Sequence, residues 1–286
     1  MKNNTLILRL AYLIIPLALL AAGMGVFGQG SGQPYPFTTL RGETVMMRGH
    51  GIYAFDTVNS SSQEVGQDLV TLILGIPLLA IGIVLTRWGS LRGRLLLTGA
   101  LGYFLYTYAS MSFLTAFNAL YLVYVALFSL SLFGFILALS GLDPVTVAGR
   151  ITEKFPRRAV ASYFVIVGAF LSLAWLGLVV PPMLSGNPPA GLETAITMVI
   201  QSLDLGVIVP ASLATAILLF QKRPWGYTLA LVVLLKILTM GAALIAMILN
   251  QLREGVAIDP VTSIIFVLIS LSGMILAVTA LRNIRD

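Results

Sequence analysis

Cysteine is absent from this 286-residue chain, which excludes disulfides, thiolate metal sites and cysteine nucleophiles. A single histidine, His50, rules out a His-rich metal cluster. Charge is scarce as well: Asp, Glu, Lys and Arg make up 10% of the chain, where a soluble domain carries about 25%. No phosphate loop, dinucleotide fingerprint, metalloprotease motif or serine-hydrolase elbow occurs. The expectation is therefore no catalytic residue, no metal and no cofactor.

What the chain has in excess is apolar length. It is 58% hydrophobic with a mean hydropathy of +0.97, the composition of an integral membrane protein. A spanning helix needs ~20 mostly apolar residues. Eight segments qualify, at roughly 6–28, 68–87, 94–113, 117–140, 159–182, 195–221, 226–249 and 261–281. The first is read as a retained helix, because no clear small-x-small cleavage site ends it.

The basic residues set an orientation. With the N-terminus inside, 13 of the 17 Lys and Arg fall on the inner side, Arg41, Arg48 and Arg253 fall outside, and Lys236 is left within a helix. Eight of the eleven acids lie outside or near outer helix ends. This asymmetry predicts a cell-membrane protein with both termini cytoplasmic. It also accounts for the positive net charge without nucleic acid as a partner; the expected partners are the lipid bilayer and a protein at the extracytoplasmic face.

One pattern occurs twice. Asp68-Leu69 opens an apolar run that holds Pro77 and ends at Arg87-Trp88-Gly89; Asp204-Leu205 opens another that holds Pro210 and ends at Arg223-Pro224-Trp225-Gly226. Asp to Trp is 20 positions in the first and 21 in the second. Ser31-Gly32-Gln33-Pro34 is echoed by Ser185-Gly186-Asn187-Pro188, and Ser129-Leu130-Ser131 after Asn118 by Ser270-Leu271-Ser272 after Asp259. Membrane boundaries reuse Arg and Trp for physical reasons of their own, but the matches keep their order. They predict an all-α polytopic membrane protein of eight transmembrane helices in two parallel four-helix repeats, 1–144 and 145–286. An even number of helices per half gives both halves the same polarity. The first half carries an insertion in its outer loop, 29–67. There Glu43–Arg48 and Ile52–Thr57 flank Gly49-His50-Gly51 and read as a small extracytoplasmic β-hairpin, about 38–58. Asn59–Gln67 reads as polar loop, and His50 as an exposed turn residue.

The candidate site residues are the polar groups nearest the hydrocarbon. Asp204 to Lys222 covers ~27 Å of helix, which puts Asp204 near the outer boundary like Asp68. Each is either a helix N-cap or a functional acid. Lys236 lies ~16 Å along its helix, close to the midplane, and Asp204 is its natural partner on the adjacent helix. Pro16, Pro77 and Pro210 sit inside helices and free backbone carbonyls. Tyr103, Tyr106, Tyr108, Tyr121 and Tyr124 belong to an outer aromatic belt or to the wall of a cavity. Asn118, Tyr121 and Tyr124 share a face at helical spacing. Glu43, Asp56, Glu64 and Glu193 are expected on a solvated acidic outer surface.

These features point to a small transporter or permease-like protein whose polar site between the halves contains Asp204, Lys236, Asp68, Asn118 and Tyr121. The alternatives are a non-catalytic membrane subunit or sensor that docks a partner through its hairpin and outer loops, and an enzyme acting on a lipid or lipid-linked substrate. The sparse polar groups make an enzyme the weaker expectation.

Overall fold

The computed structural model describes residues 2–28 and 30–285; Met1, Gln29 and Asp286 lie outside them. Helix α1 covers Lys2–Phe27, and strands β1 (Tyr35–Thr38) and β2 (Thr44–Met47) follow. Next come α2 (Val58–Val70), α3 (Ile76–Arg87), α4 (Leu91–Phe113), α5 (Tyr121–Ser140) and the short α6 (Pro144–Gly149). The second part of the chain holds α7 (Arg157–Ser185), α8 (Val199–Leu203), α9 (Val209–Phe220), α10 (Pro224–Arg253) and α11 (Pro260–Arg282). Among the described residues, seven helices are long and apolar enough to cross a membrane, counting α2–α3 and α8–α9 as one continuous helix each. This is a multi-pass helical membrane protein.

The expected span at 94–113 is present as α4, a helix of 23 residues, but it is not among those seven. Its tyrosines, threonines and serines lower its hydropathy. Most of its residues are buried against α3, α5 and α10. A helix surrounded by other helices touches little lipid, so its side chains need not be uniformly apolar.

Buried side chains form two clusters. One gathers Ala11, Ile14, Leu79, Leu101, Phe104 and Leu127 from α1, α3, α4 and α5. The other gathers Phe164, Leu219, Leu231, Leu234 and Ala277 from α7, α9, α10 and α11. Helices α4 and α10 pack on each other between them, where a Cβ at Gly99 would strike Leu235. Large apolar residues such as Leu122, Leu173, Ile264 and Leu268 face outward, as lipid requires. Small residues set the close contacts: Ser131, Gly134 and Ala138 form the buried stripe of α5, and Ser270, Gly273 and Ala277 that of α11.

Two wide turns interrupt the long helices, at Thr71–Gly75 and Asp204–Ile208. In each, bonding switches to i→i+5: the Ile76 N–H donates to the Thr71 carbonyl, and the Val209 N–H to the Asp204 carbonyl. Pro77 and Pro210 come next. A helical proline lacks its N–H and its ring crowds the carbonyl four residues back, and the wide turn accommodates both. The two turns, the two prolines, the left-handed residues Gly89 (φ 82°) and Lys222 (φ 57°), and the close-packed Gly93 and Gly226 all share one offset, 133 residues. The Asp68–Asp204 match of the sequence does not follow it. Asp204 opens its wide turn, whereas Asp68 lies three residues before the other, so Thr71 stands where Asp204 does.

The hairpin exists with different strands. Tyr35 to Thr38 pairs antiparallel with Met47 to Thr44, and Gly42 at φ 81° makes the turn. Pro36 is tolerated because a two-stranded sheet leaves it an edge. Ile52–Thr57 is not a strand apart from a bridge between Thr57 and Met47. Gly49 and Gly51, both with φ near 70°, instead fold residues 48–56 into a loop closed by Arg48 N–H to the Asp56 carbonyl at 2.9 Å. His50 lies in that loop rather than on a hairpin turn.

Asn59–Gln67 is helix rather than loop. Thr57 caps it, its Oγ1 accepting the Ser60 N–H at 3.1 Å, and α2 runs on through Asp68. Asp68 and Asp204 are therefore not N-caps. The polar residues of α2 tolerate burial because other elements bond them: Asn250 donates to the Ser62 carbonyl, and Gln251 to the Asn59 side chain.

A Cβ at Gly226 would lie 2.6 Å from the backbone of Leu218 and Leu219, whereas Gly177 has nothing within 4 Å. Gly226→Ala is expected to cost about 1–3 kcal/mol through overpacking. Gly177→Ala should be neutral or gain up to about 1 kcal/mol from helix propensity. Thermal unfolding of both variants in detergent checks the contrast.

Candidate functional site

Asp204 is 7% exposed and takes a donor on each oxygen. The Tyr106 hydroxyl of α4 donates to Oδ1 at 2.8 Å, and the Trp175 indole N–H of α7 donates to Oδ2 at 2.9 Å. Lys236 of α10 sets its Nζ 4.0 Å from the centroid of the Tyr106 ring. Tyr106 thus joins the two charges, its face to the cation and its hydroxyl to the anion. A cation over an aromatic face away from bulk water is held by about 2 kcal/mol. Four helices meet at this centre, one acid and one base in balance. The wide turn that Asp204 opens is the local feature that departs from α-helical geometry there.

At the same offset, Tyr103 stands where Lys236 does. Tyr103 and Thr71 share a hydroxyl–hydroxyl hydrogen bond at 2.8 Å. One part of the chain thus places a neutral pair where the other places Asp204 and Lys236.

A second polar group lies along α2 and the loop before it. Asp68, 1% exposed, accepts the Tyr53 hydroxyl at 2.5 Å, and the space it occupies is open only because residue 25 is glycine. Glu64 Oε1 accepts from Thr115 Oγ1 at 2.7 Å, and Asp56 Oδ1 from the Ala116 N–H at 2.8 Å. Gln67 donates to Thr107. Asp56 and Glu64 are buried rather than solvated, which corrects the expectation of an open acidic surface. Burial raises the Asp56 carboxyl to about 6, against the lowering pull of the Ala116 N–H. Burial, with Asp68 beside it, also holds the Tyr53 phenol well above its ordinary value.

Tyr121 joins neither group: it is 39% exposed against Phe117. Asn118 precedes α5, accepts the Leu120 N–H at 2.9 Å and donates to the Ala116 carbonyl at 3.2 Å. Its side chain also meets the buried Tyr124, and through it the group around Asp68. Tyr53, Tyr106 and Trp175 are the partners that sequence reasoning missed. Trp175 carried a signal: of the three tryptophans, it alone lies mid-helix rather than beside an Arg at a boundary.

Both ends of the bundle are tied. At one end, Arg41 of the hairpin donates to the carbonyls of Glu193 (2.6 Å) and Ala195 (2.9 Å). The Glu193 carboxylate, on a backbone at φ 48°, accepts from Thr57 Oγ1 and from Asn59 Nδ2. At the other end, Ile284 bridges Ile151 and accepts from Arg92 Nε at 3.0 Å. A pocket of about 270 Å³ opens between Ile151, Thr152, Glu153, Phe155, Arg157 and Tyr227, apart from both polar groups. Among the described residues, no group of three or more His, Asp or Glu is placed to hold a metal ion.

No protein-family model matches the chain, no curated protein matches it, and no solved structure matches it. Its class therefore rests on the fold and the buried polar groups: a polytopic helical membrane protein with charged side chains enclosed among its helices.

Two outcomes are expected. Tyr106→Phe keeps the ring under Lys236 but removes one donor from a buried carboxylate, which should cost about 1–3 kcal/mol in a thermal melt. Asp56 binds its proton more tightly folded than unfolded, so its contribution to stability is full below pH ~4 and is lost as pH rises to about 6. A shift of that size is worth roughly 3 kcal/mol. Melting temperature recorded from pH 4 to 7 should fall across this window, and Asp56→Asn should flatten the fall.

Proposed function

We propose that the protein is a small transporter or permease-like protein of the cell membrane, coupled to a cation or proton through Asp204. In this reading α4 is the eighth span, the two halves are parallel repeats of residues 1–144 and 145–286, and both termini are cytoplasmic. The shared offset of wide turns, prolines and close-packed glycines supports the repeat. Tyr121 and Pro260, the first residues of α5 and α11, and the stripes of Ser131 and Ser270 share a second offset of 139.

The observation that carries the reading is the Lys236–Tyr106–Asp204–Trp175 string. Ionisable side chains within spans are costly and mark ion or substrate pathways. A charge pair made only for rigidity has no need of a bridging phenol. Here Tyr106 connects the two charges, so a proton or cation arriving at Asp204 weakens the hold on Lys236. Ties at both faces correspond to a closed state, and movement of one half against the other would open the centre to one side.

Purified protein in liposomes with an entrapped pH dye, under imposed proton, sodium or potassium gradients, tests this. Wild type should carry proton or cation flux, and Asp204→Asn and Lys236→Met should each reduce it at least tenfold. Full flux in both variants, or no flux in the wild type, overturns the reading.

One observation favours a second reading, a membrane subunit that docks a partner. The hairpin leaves Tyr35, Phe37, Leu40 and Met46 exposed on the outer side. In that case neither charge substitution affects function and the hairpin side chains do.

A further inference from the structure

We infer that Asp56, Glu64 and Asp68 form a proton-binding site, separate from the Asp204–Lys236 centre, that holds at least one proton at neutral pH.

The first ground is the balance of charge. Asp56, Glu64 and Asp68 are 4%, 8% and 1% exposed. The buried cation beside them is Arg48, whose guanidinium bonds Ser61 Oγ at 3.4 Å rather than a carboxylate. Among the described residues, the other helices packed here bring no further charge to the group. α1 contributes Gly25, α4 contributes Thr107, Tyr103 and Tyr108, α5 contributes Tyr124, and α10 contributes Asn250 and Gln251. Glu193 lies on the outer side, held by Thr57 and Asn59. Full ionisation would leave three anions facing one cation away from water, and buried groups in that position take up protons instead.

The second ground is independent of the charge count. Among the described residues, Asp56 Oδ2 and Glu64 Oε2 have no hydrogen-bond partner, and neither has the hydroxyl of the fully buried Tyr108, which lies within electrostatic reach of Asp68. Ionised carboxylates only accept. A charged oxygen left without a donor away from water costs more than a neutral one, so a proton on either carboxyl lowers the cost of the arrangement as it stands. A metal ion fits less well: among the described residues, no group of three or more His, Asp or Glu is placed to hold one.

The site does not depend on transport. A proton held here would be present whether or not the Asp204 centre carries flux.

Infrared spectroscopy of the full chain in lipid nanodiscs tests it, by the C=O stretch of a protonated carboxyl and its shift in heavy water. At pH 7 the wild type should show this band, and raising the pH should remove it reversibly. Asp56→Asn, Glu64→Gln or Asp68→Asn should reduce it by at least one carboxyl's intensity, and Asp204→Asn should leave it in place. Absence of the band in the wild type at pH 7 overturns the inference. So does a band that survives all three substitutions and vanishes with Asp204→Asn. The wild-type titration decides the matter even where a variant fails to fold.

Discussion

A carboxylate enclosed by apolar helices has to be given donors, because no water is there to supply them. That requirement fixes where several helices stand. Asp204 takes one donor from α4 and another from α7, so neither helix can slide along its neighbour without stranding an oxygen. Asp68 takes its donor from Tyr53, which lies outside the helices altogether. The loop after the hairpin is thereby inserted into the bundle, and residue 25 must be glycine to leave room for the acid. The short sheet is thus tied to Asp68 of α2 through the loop that follows it.

Helix α4 serves both polar groups from adjacent positions. Thr107 and Tyr103 turn toward α2 and the wide turn that follows it, and Tyr106 turns toward Asp204 and Lys236. Three residues within about one helical turn therefore link the two groups. The same residues lower the hydropathy of α4, so the polarity that weakens it as a lipid-facing span is what equips it as a shared wall. The neutral Thr71–Tyr103 pair and the Asp204–Lys236 pair stand 133 residues apart along the chain, one beside each wide turn.

The long helices were legible because apolar runs of spanning length admit few other readings. Lys236 was legible as the deepest cation, and Asp204 as its natural associate. The go-between was not: Tyr106 is one of several tyrosines near the outer end of α4, and sequence does not say which face of a helix meets which neighbour. The 133-residue offset was missed because Asp and Trp recur near boundaries for general reasons, whereas the wide turns that share it leave only a proline as their trace. Asn59–Gln67 looked like loop because its polarity suggested water, and its partners come from α10 and the hairpin loop, far away in sequence. Pro36 concealed the first strand in the same way, since proline argues against a strand unless that strand is an edge.

The grip of Arg41 on the opposite outer loop has a consequence for how that loop can vary. The guanidinium holds two main-chain oxygens, at residues 193 and 195, and every amino acid offers the same oxygen there. Side chains in the loop can change without loosening this tie. Its length cannot, because adding or removing one residue moves the two carbonyls out of reach of the single nitrogen, Nη2, that bonds both. Related chains that keep the tie should be free in spelling and strict in spacing at this place.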